Sequence, residues 1–170
     1  EAGLPRNDDN SYDFPIPAGF GGGSLVVNGT PVSNIRIHNN GRLYIGSLQP
    51  GMWPQDIDTE AGSLTPSPGG NSAGSNQVWY DFDETARTIT VTWDDVGRFN
   101  NGTTPNAFQV QVVDRGNGDL DVIYRYEMLQ WSGWDGVSVY LNGTSYNVPQ
   151  PAGGNTAFDT SAGNVATGVW

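Results

Sequence analysis

The sequence predicts an all-β fold, an antiparallel β-sandwich with long irregular loops and little helix, from three observations. Apolar residues recur at every second position in several short runs, the periodicity of strands with one buried face. Asn-Gly pairs sit between such runs, where two-residue hairpin turns need positive φ. The 24 glycines and 11 prolines break up any longer regular segment, and no helical periodicity exceeds two turns.

The longest of these patterns is the stretch Asn106–Trp131. Phe108, Val110 and Val112 alternate with Gln109 and Gln111; Leu120, Val122, Tyr124 and Tyr126 alternate with Asp121, Ile123 and Arg125. Asp114-Arg115-Gly116-Asn117-Gly118-Asp119 separates the runs with residues that tolerate φ > 0, so the whole predicts one antiparallel hairpin. Ahead of it, Phe14 and Ile16 among Pro15 and Pro17 predict an edge strand. Gly21-Gly22-Gly23 ends that pattern, and Asn28-Gly29 follows Ser24–Val27 as a hairpin turn. Ile35 and Ile37, then Leu43 and Ile45, flank His38-Asn39-Asn40-Gly41 as a second hairpin. Residues 47–76 are the least regular stretch, and strands resume at Gln77–Asp81 and Thr88–Trp93, with Ile89, Val91 and Trp93 inward. Beyond Trp131, Val137, Val139 and Leu141 lead into an Asn142-Gly143 turn, with Tyr146–Val148 as a last strand.

At 170 residues the chain reads as a single domain, 1–170, excised from a larger surface or secreted protein, and it is long enough to bury a core without staples. It has no cysteine, which excludes a disulfide framework and a thiol nucleophile. Seven arginines, no lysine and 18 acids leave a net charge of −11. A nucleic-acid binder needs a basic footprint, so that class is excluded, whereas cations are attracted. No apolar run is long enough for membrane insertion.

Reaction centres are hard to find. His38 is the lone histidine, stands in a polar turn and has no G-x-S-x-G elbow with it, so a polar turn residue explains it better than catalysis. One histidine without cysteine also lacks the usual zinc ligand set. Paired acids, such as Asp81/Asp83, Asp94/Asp95 and Asp119/Asp121, would suit a glycosidase only if two met across a cleft, and exposed turn acids are the commoner case. Oxygen-rich cation sites fit better. Asp56 and Asp58 alternate along Asp56-Ile57-Asp58-Thr59-Glu60 and are candidate Ca²⁺ ligands, with Asp8 and Asp9 as partners. Trp131 and Trp134, with Asp135 beside them, are a candidate ligand platform; against this, tryptophans in a small sandwich usually serve the core. The Asn-Gly-Thr sequons at Asn28, Asn101 and Asn142 coincide with expected turns.

Several motifs, in order, carry a resemblance. They are Leu4-Pro5-Arg6-Asn7-Asp8-Asp9, Ile35–Leu43, Asp56-Ile57-Asp58-Thr59, Ile89-Thr90-Val91-Thr92-Trp93-Asp94-Asp95-Val96, Asn106–Asp114, Asp119–Trp131 and Gly136-Val137-Ser138-Val139. In this order and spacing the chain resembles the nidogen-like (NIDO) domain in its bacterial form. The resemblance implies an extracellular or cell-surface module of mosaic proteins, associated with cell adhesion and matrix, without catalytic residues. The expected function is therefore a non-catalytic, calcium-stabilised interaction module for an extracellular protein or glycan, with residues 47–76 and 131–136 as contact regions. Rival expectations are a carbohydrate-binding module built on Trp134, a glycoside hydrolase and a structural spacer.

Overall fold

The computed structural model describes residues 1–51, 56–66, 71–131, 138–141 and 144–147, the last two segments essentially as backbone. Among these residues there is no helix, and the strands run β1 (Ala2–Gly3), β2 (Ser11–Pro15), β3 (Leu25–Val27), β4 (Thr30–Val32), β5 (Asn34–His38), β6 (Arg42–Tyr44) and β7 (Leu48–Gly51). They continue as β8 (Ile57–Asp58), β9 (Gln77–Asp83), β10 (Thr88–Arg98), β11 (Asn101–Gly116), β12 (Asp119–Leu129), β13 (Ser138–Leu141) and β14 (Thr144–Asn147). One antiparallel sheet has the order β1-β9-β10-β11-β12, with β8 added against the end of β10. The other has the order β14-β13-β7-β6-β5-β2, and β3-β4 form a separate ribbon. The all-β sandwich expected from alternation is the observed fold.

The central hairpin forms as its pattern requires. Val110 pairs with Tyr124 and Val112 with Val122, and the tip residues Asn117 (φ 57°) and Gly118 (φ 88°) form a two-residue turn with both φ positive. Asn28 and Gly29 turn β3 into β4 in the same way. β2 is an edge strand, which accommodates Pro15 at its end. Inside the irregular stretch 47–76 the fold places β7 and β8, two short strands that alternation does not mark. β7 pairs with β13 and so brings the C-terminal hairpin onto the second sheet. Val137, Val148 and the Asn142-Gly143 turn lie outside the described residues.

Inward side chains of both sheets make one core. Val91, Trp93, Val110 and Tyr126 from the first sheet join Ile35, Ile37, Leu43 and Ile45 around the second, all essentially inaccessible. Trp93 stacks on Phe108 with centroids 5.1 Å apart, and Phe14 of β2 meets Tyr80 of β9 at 4.2 Å across the sandwich.

One polar tie crosses this core. Trp93 Nε1 donates to the carbonyl of Asn39, 2.7 Å away, linking β10 to the turn between β5 and β6. Asn39 is 1% exposed, and its side chain works outward from the same point. Its Oδ1 accepts from Asn10 N (2.9 Å), and its Nδ2 is directed at the carbonyls of Asn7, Asp8 and Ile57. An asparagine is suited to this place because a single planar amide offers both donors and acceptors.

Asn39→Ala strands several of those backbone groups in a buried place, at about 1–3 kcal/mol for each one left unsatisfied. We expect a loss of about 2–4 kcal/mol in denaturant unfolding, seen in thermal unfolding as a midpoint lower by roughly 5–15 °C. A midpoint unchanged within error would show that the amide is replaceable.

Candidate acidic metal centre

The N-terminal segment between β1 and β2 has no regular structure, and side chains fasten it to the sandwich. Arg6 donates to the carbonyls of Thr59 (2.8 Å), Asn76 (2.7 Å) and Ser75 (2.7 Å), using its guanidinium as a multi-pronged clamp on backbone. Thr59 reciprocates: its Oγ1 accepts from Asn7 N at 2.8 Å, and its own N–H donates to Asn7 O at 3.1 Å. Asn40 then bridges two chain segments, donating from Nδ2 to Asp9 Oδ1 (2.7 Å) while its Oδ1 accepts from Ile57 N (2.9 Å).

These fastenings bring Asp8 and Asp9 to Asp56, which immediately precedes β8. One carboxylate oxygen from each lies within 4.8 Å of the others. Ca²⁺ binds oxygen at about 2.3–2.6 Å, so two ligands of one ion stand at most about 5 Å apart, and the three carboxylates meet that limit. Asp8 Oδ1 is buried and has no hydrogen-bond partner among the described residues. Burial first, and then the charges of Asp9, Asp56, Asp58 and Glu60, hold the Asp8 carboxyl above the usual aspartate range. A buried, unpartnered carboxylate oxygen amid like charges is chemically suited to a hard cation.

Of the four acids expected to act together, Asp58 occupies a different position. Its Oδ1 accepts from Glu60 N at 2.7 Å, which makes it the cap of the turn after β8, and it reaches Asp8 as a repulsive charge. His38 closes β5 beside this corner: its Nδ1 accepts from Asn40 N at 3.1 Å. Burial, with Arg42 next, lowers its pKa from the ordinary histidine value.

Trp131 is 9% exposed, the burial of a core residue, and Asn106 holds its backbone from both sides. Trp134 and Asp135 lie outside the described residues. Asp94, Asp95 and Glu127 have a use that their sequence pattern alone does not mark. Asp94 accepts from Ala73 N (3.1 Å) and Ser75 N (3.2 Å), Asp95 from Gly74 N (2.8 Å), and Glu127 from Asn71 N (2.9 Å) and Ser72 N (3.0 Å). Three acids from β10 and β12 thus hold one five-residue loop by its amides. The available signal was the adjacent Asp94-Asp95 pair, since a bulge exposes successive carboxylates to one loop; Asp95 has φ 48° and the register shifts there.

The raised Asp8 carboxyl has a definite pH consequence. The folded state binds that proton more readily than the unfolded chain, so stability falls as pH rises from the ordinary aspartate value, about 3.9, through the raised one. In chelator at neutral pH, Asp8→Asn should therefore unfold at a higher temperature than wild type. That advantage should vanish below about pH 3.9, where both states are protonated. With millimolar Ca²⁺ the order should reverse. Matched midpoints at every pH and in both buffers would refute the electrostatic account.

The sequence comparison extends over the larger part of the sandwich. The family model described as the nidogen-like domain (NIDO) matches residues 72–166, more than half of the chain, beginning in the loop clamped by Asp94, Asp95 and Glu127 and spanning β9 to β14. The acids of the N-terminal corner lie before the matched region. No curated protein and no solved structure matches the chain. NIDO domains are extracellular-type modules of a non-enzymatic family. The chain belongs to the nidogen-like (NIDO) domain family.

Proposed function

We propose that this chain is a non-catalytic interaction module of a secreted or surface-displayed protein, of bacterial type, that works in cell adhesion or matrix contact. Family membership carries this reading. The architecture supports it: long, well-paired strands hold the clamped loop 71–75, an arrangement in which rigid elements present a surface. Partners would be extracellular proteins or glycans. The net charge of −11 argues against nucleic acid, and no helix among the described residues is long and apolar enough to cross a membrane.

Calcium belongs to this proposal as a stabiliser of the N-terminal corner. Asp8, Asp9 and Asp56 would hold it, neutralising a charge cluster that otherwise opposes docking of residues 4–10 onto the sandwich. The ion would supply local rigidity at the surface and no chemistry.

Thermal unfolding with Ca²⁺ and with chelator, at fixed ionic strength, tests the metal. At a hundred times its dissociation constant a ligand of the folded state adds about 2.7 kcal/mol, a rise of roughly 5–10 °C for a domain of this size. The rise should be absent in Asp56→Asn. Equal midpoints with and without Ca²⁺ would remove calcium from the proposal. Saturable binding of the chain to matrix proteins or extracellular glycans supports the module reading. Turnover of glycosidic substrates, abolished by a single Asp→Asn change, would replace it with a hydrolase, and absence of any ligand would leave a structural spacer.

A further inference from the structure

The outer face of the first sheet, turned away from the core, carries a groove of about 740 Å³. That volume lies within the range of about 300–1,000 Å³ typical of small-ligand sites. Its floor follows from strand register. Trp79 of β9 pairs with Thr92 of β10, Thr92 with Gln109 of β11, and Gln109 with Arg125 of β12, one row straight across four strands. The side chains are joined along that row. Gln109 Nε2 donates to Thr92 Oγ1 at 2.7 Å, and Arg125 Nη1 donates to Gln109 Oε1 at 2.8 Å. A parallel chain runs one step along, from Arg125 Nη2 to Gln111 Oε1 (3.1 Å) and from Gln111 Nε2 to Thr90 Oγ1 (3.2 Å). The guanidinium therefore spans two glutamine carbonyls.

An indole stands at one end of this floor. Trp79 is half-buried, and its Nε1 donates to Ser75 Oγ at 3.0 Å, which fixes the ring's orientation. Gly3 lies against the ring: a Cβ there would stand 3.2 Å from Trp79 Cζ3. The loop carrying Ser75 is the one held by Asp94 and Glu127, so the wall is preorganised by the clamps already described.

We infer that this groove binds a neutral oligosaccharide; the inference rests on the interaction-module reading and names its class of partner. Sugar hydroxyls donate and accept at once, and the floor offers both functions in a plane. Arg125 has five N–H donors, of which the two bonds above use two, and each glutamine amide and threonine hydroxyl keeps further capacity. The Trp79 indole offers a face of the kind on which pyranose C–H groups pack. Charge selects against the other ligands. An anionic glycan would meet Glu1, Asp94 and Glu127 in the lining of a chain with net charge −11. A basic peptide would face Arg125, while the Glu127 and Asp94 carboxylates are already accepting from loop amides.

The test is binding of the whole chain to an array of neutral, uronate-bearing and sulfated oligosaccharides, followed by titration of the best ligand. A basic-peptide arm runs alongside. A neutral oligosaccharide should bind, and Trp79→Ala should weaken it about tenfold or more. Gln109→Ala, which removes no core packing, should weaken it in the same direction while the domain still unfolds cooperatively well above the assay temperature. Four results overturn the inference: no neutral glycan bound by folded wild type, binding that persists in both variants, preference for acidic glycans, or capture of the basic peptide at Trp79. Binding of an extracellular protein that ignores both substitutions would overturn the glycan site and leave the module reading standing.

Discussion

The Asn39 amide occupies a place where the two sheets and the N-terminal segment meet. Its backbone carbonyl takes the Trp93 indole hydrogen from the first sheet, and its side chain takes up Asn10, Asn7 and the start of β8. Buried polar groups must be paired, so once Trp93 is in the core this turn can adopt few other geometries. Asn40, next in sequence, transmits the constraint outward to Asp9 and Ile57. The closeness of Asp8, Asp9 and Asp56 follows from this network and is opposed by their charges. The corner is thus held together by the Asn39 and Asn40 amides and the Arg6 clamp and pushed apart by carboxylates, a balance that a divalent cation would tip.

Acids elsewhere in the domain show the contrast. Asp94, Asp95 and Glu127 are placed where successive backbone N–H groups of residues 71–75 point at them, and they act as anchors for a loop. Charge-assisted bonds of this kind are stronger than neutral ones and keep a loop near a sheet without apolar contact. The bulge at Asp94–Val96 makes this possible. It releases β10 from β9 and turns its end toward β8, which leaves the clamped loop to cover the gap. Among the described residues, some acids thus complete the fold while others crowd one corner.

The two faces of the first sheet carry different work. Inward positions of β10 and β11 hold Val91, Trp93, Phe108 and Val110 at 0–3% exposure. Outward positions hold threonine, glutamine and arginine bonded to one another across strands. Cross-strand polar ladders add modest stability to a sheet and keep side chains in fixed rotamers. A face ordered in that way is stiff before any ligand arrives, which lowers the cost of binding.

Much of the fold was legible in the sequence because its signals are local. Alternation marked β10, β11 and β12 and their inward residues, Asn28-Gly29 marked one turn, and the cluster Asp114–Asp119 marked the tip of the central hairpin, since positive φ is a property of single residues. The acids of the N-terminal corner were also named in advance, from their spacing in two separate segments. Strands β7 and β8 were not legible, because two to four residues give too short a run for periodicity, and they exist through pairing with β13 and β10. Nor could the sequence separate Asp56 from Asp58 or Trp131 from a surface aromatic. Alternate residues on an extended segment look equivalent until a neighbouring turn takes up one carboxylate, as Glu60 N does for Asp58, and until packing encloses one indole. Strand composition and turn chemistry were thus settled by the chain itself. Which carboxylates meet, which acids become anchors and which row of side chains lines a groove were decided by strand register and long-range hydrogen bonds, because both depend on residues dozens of positions apart.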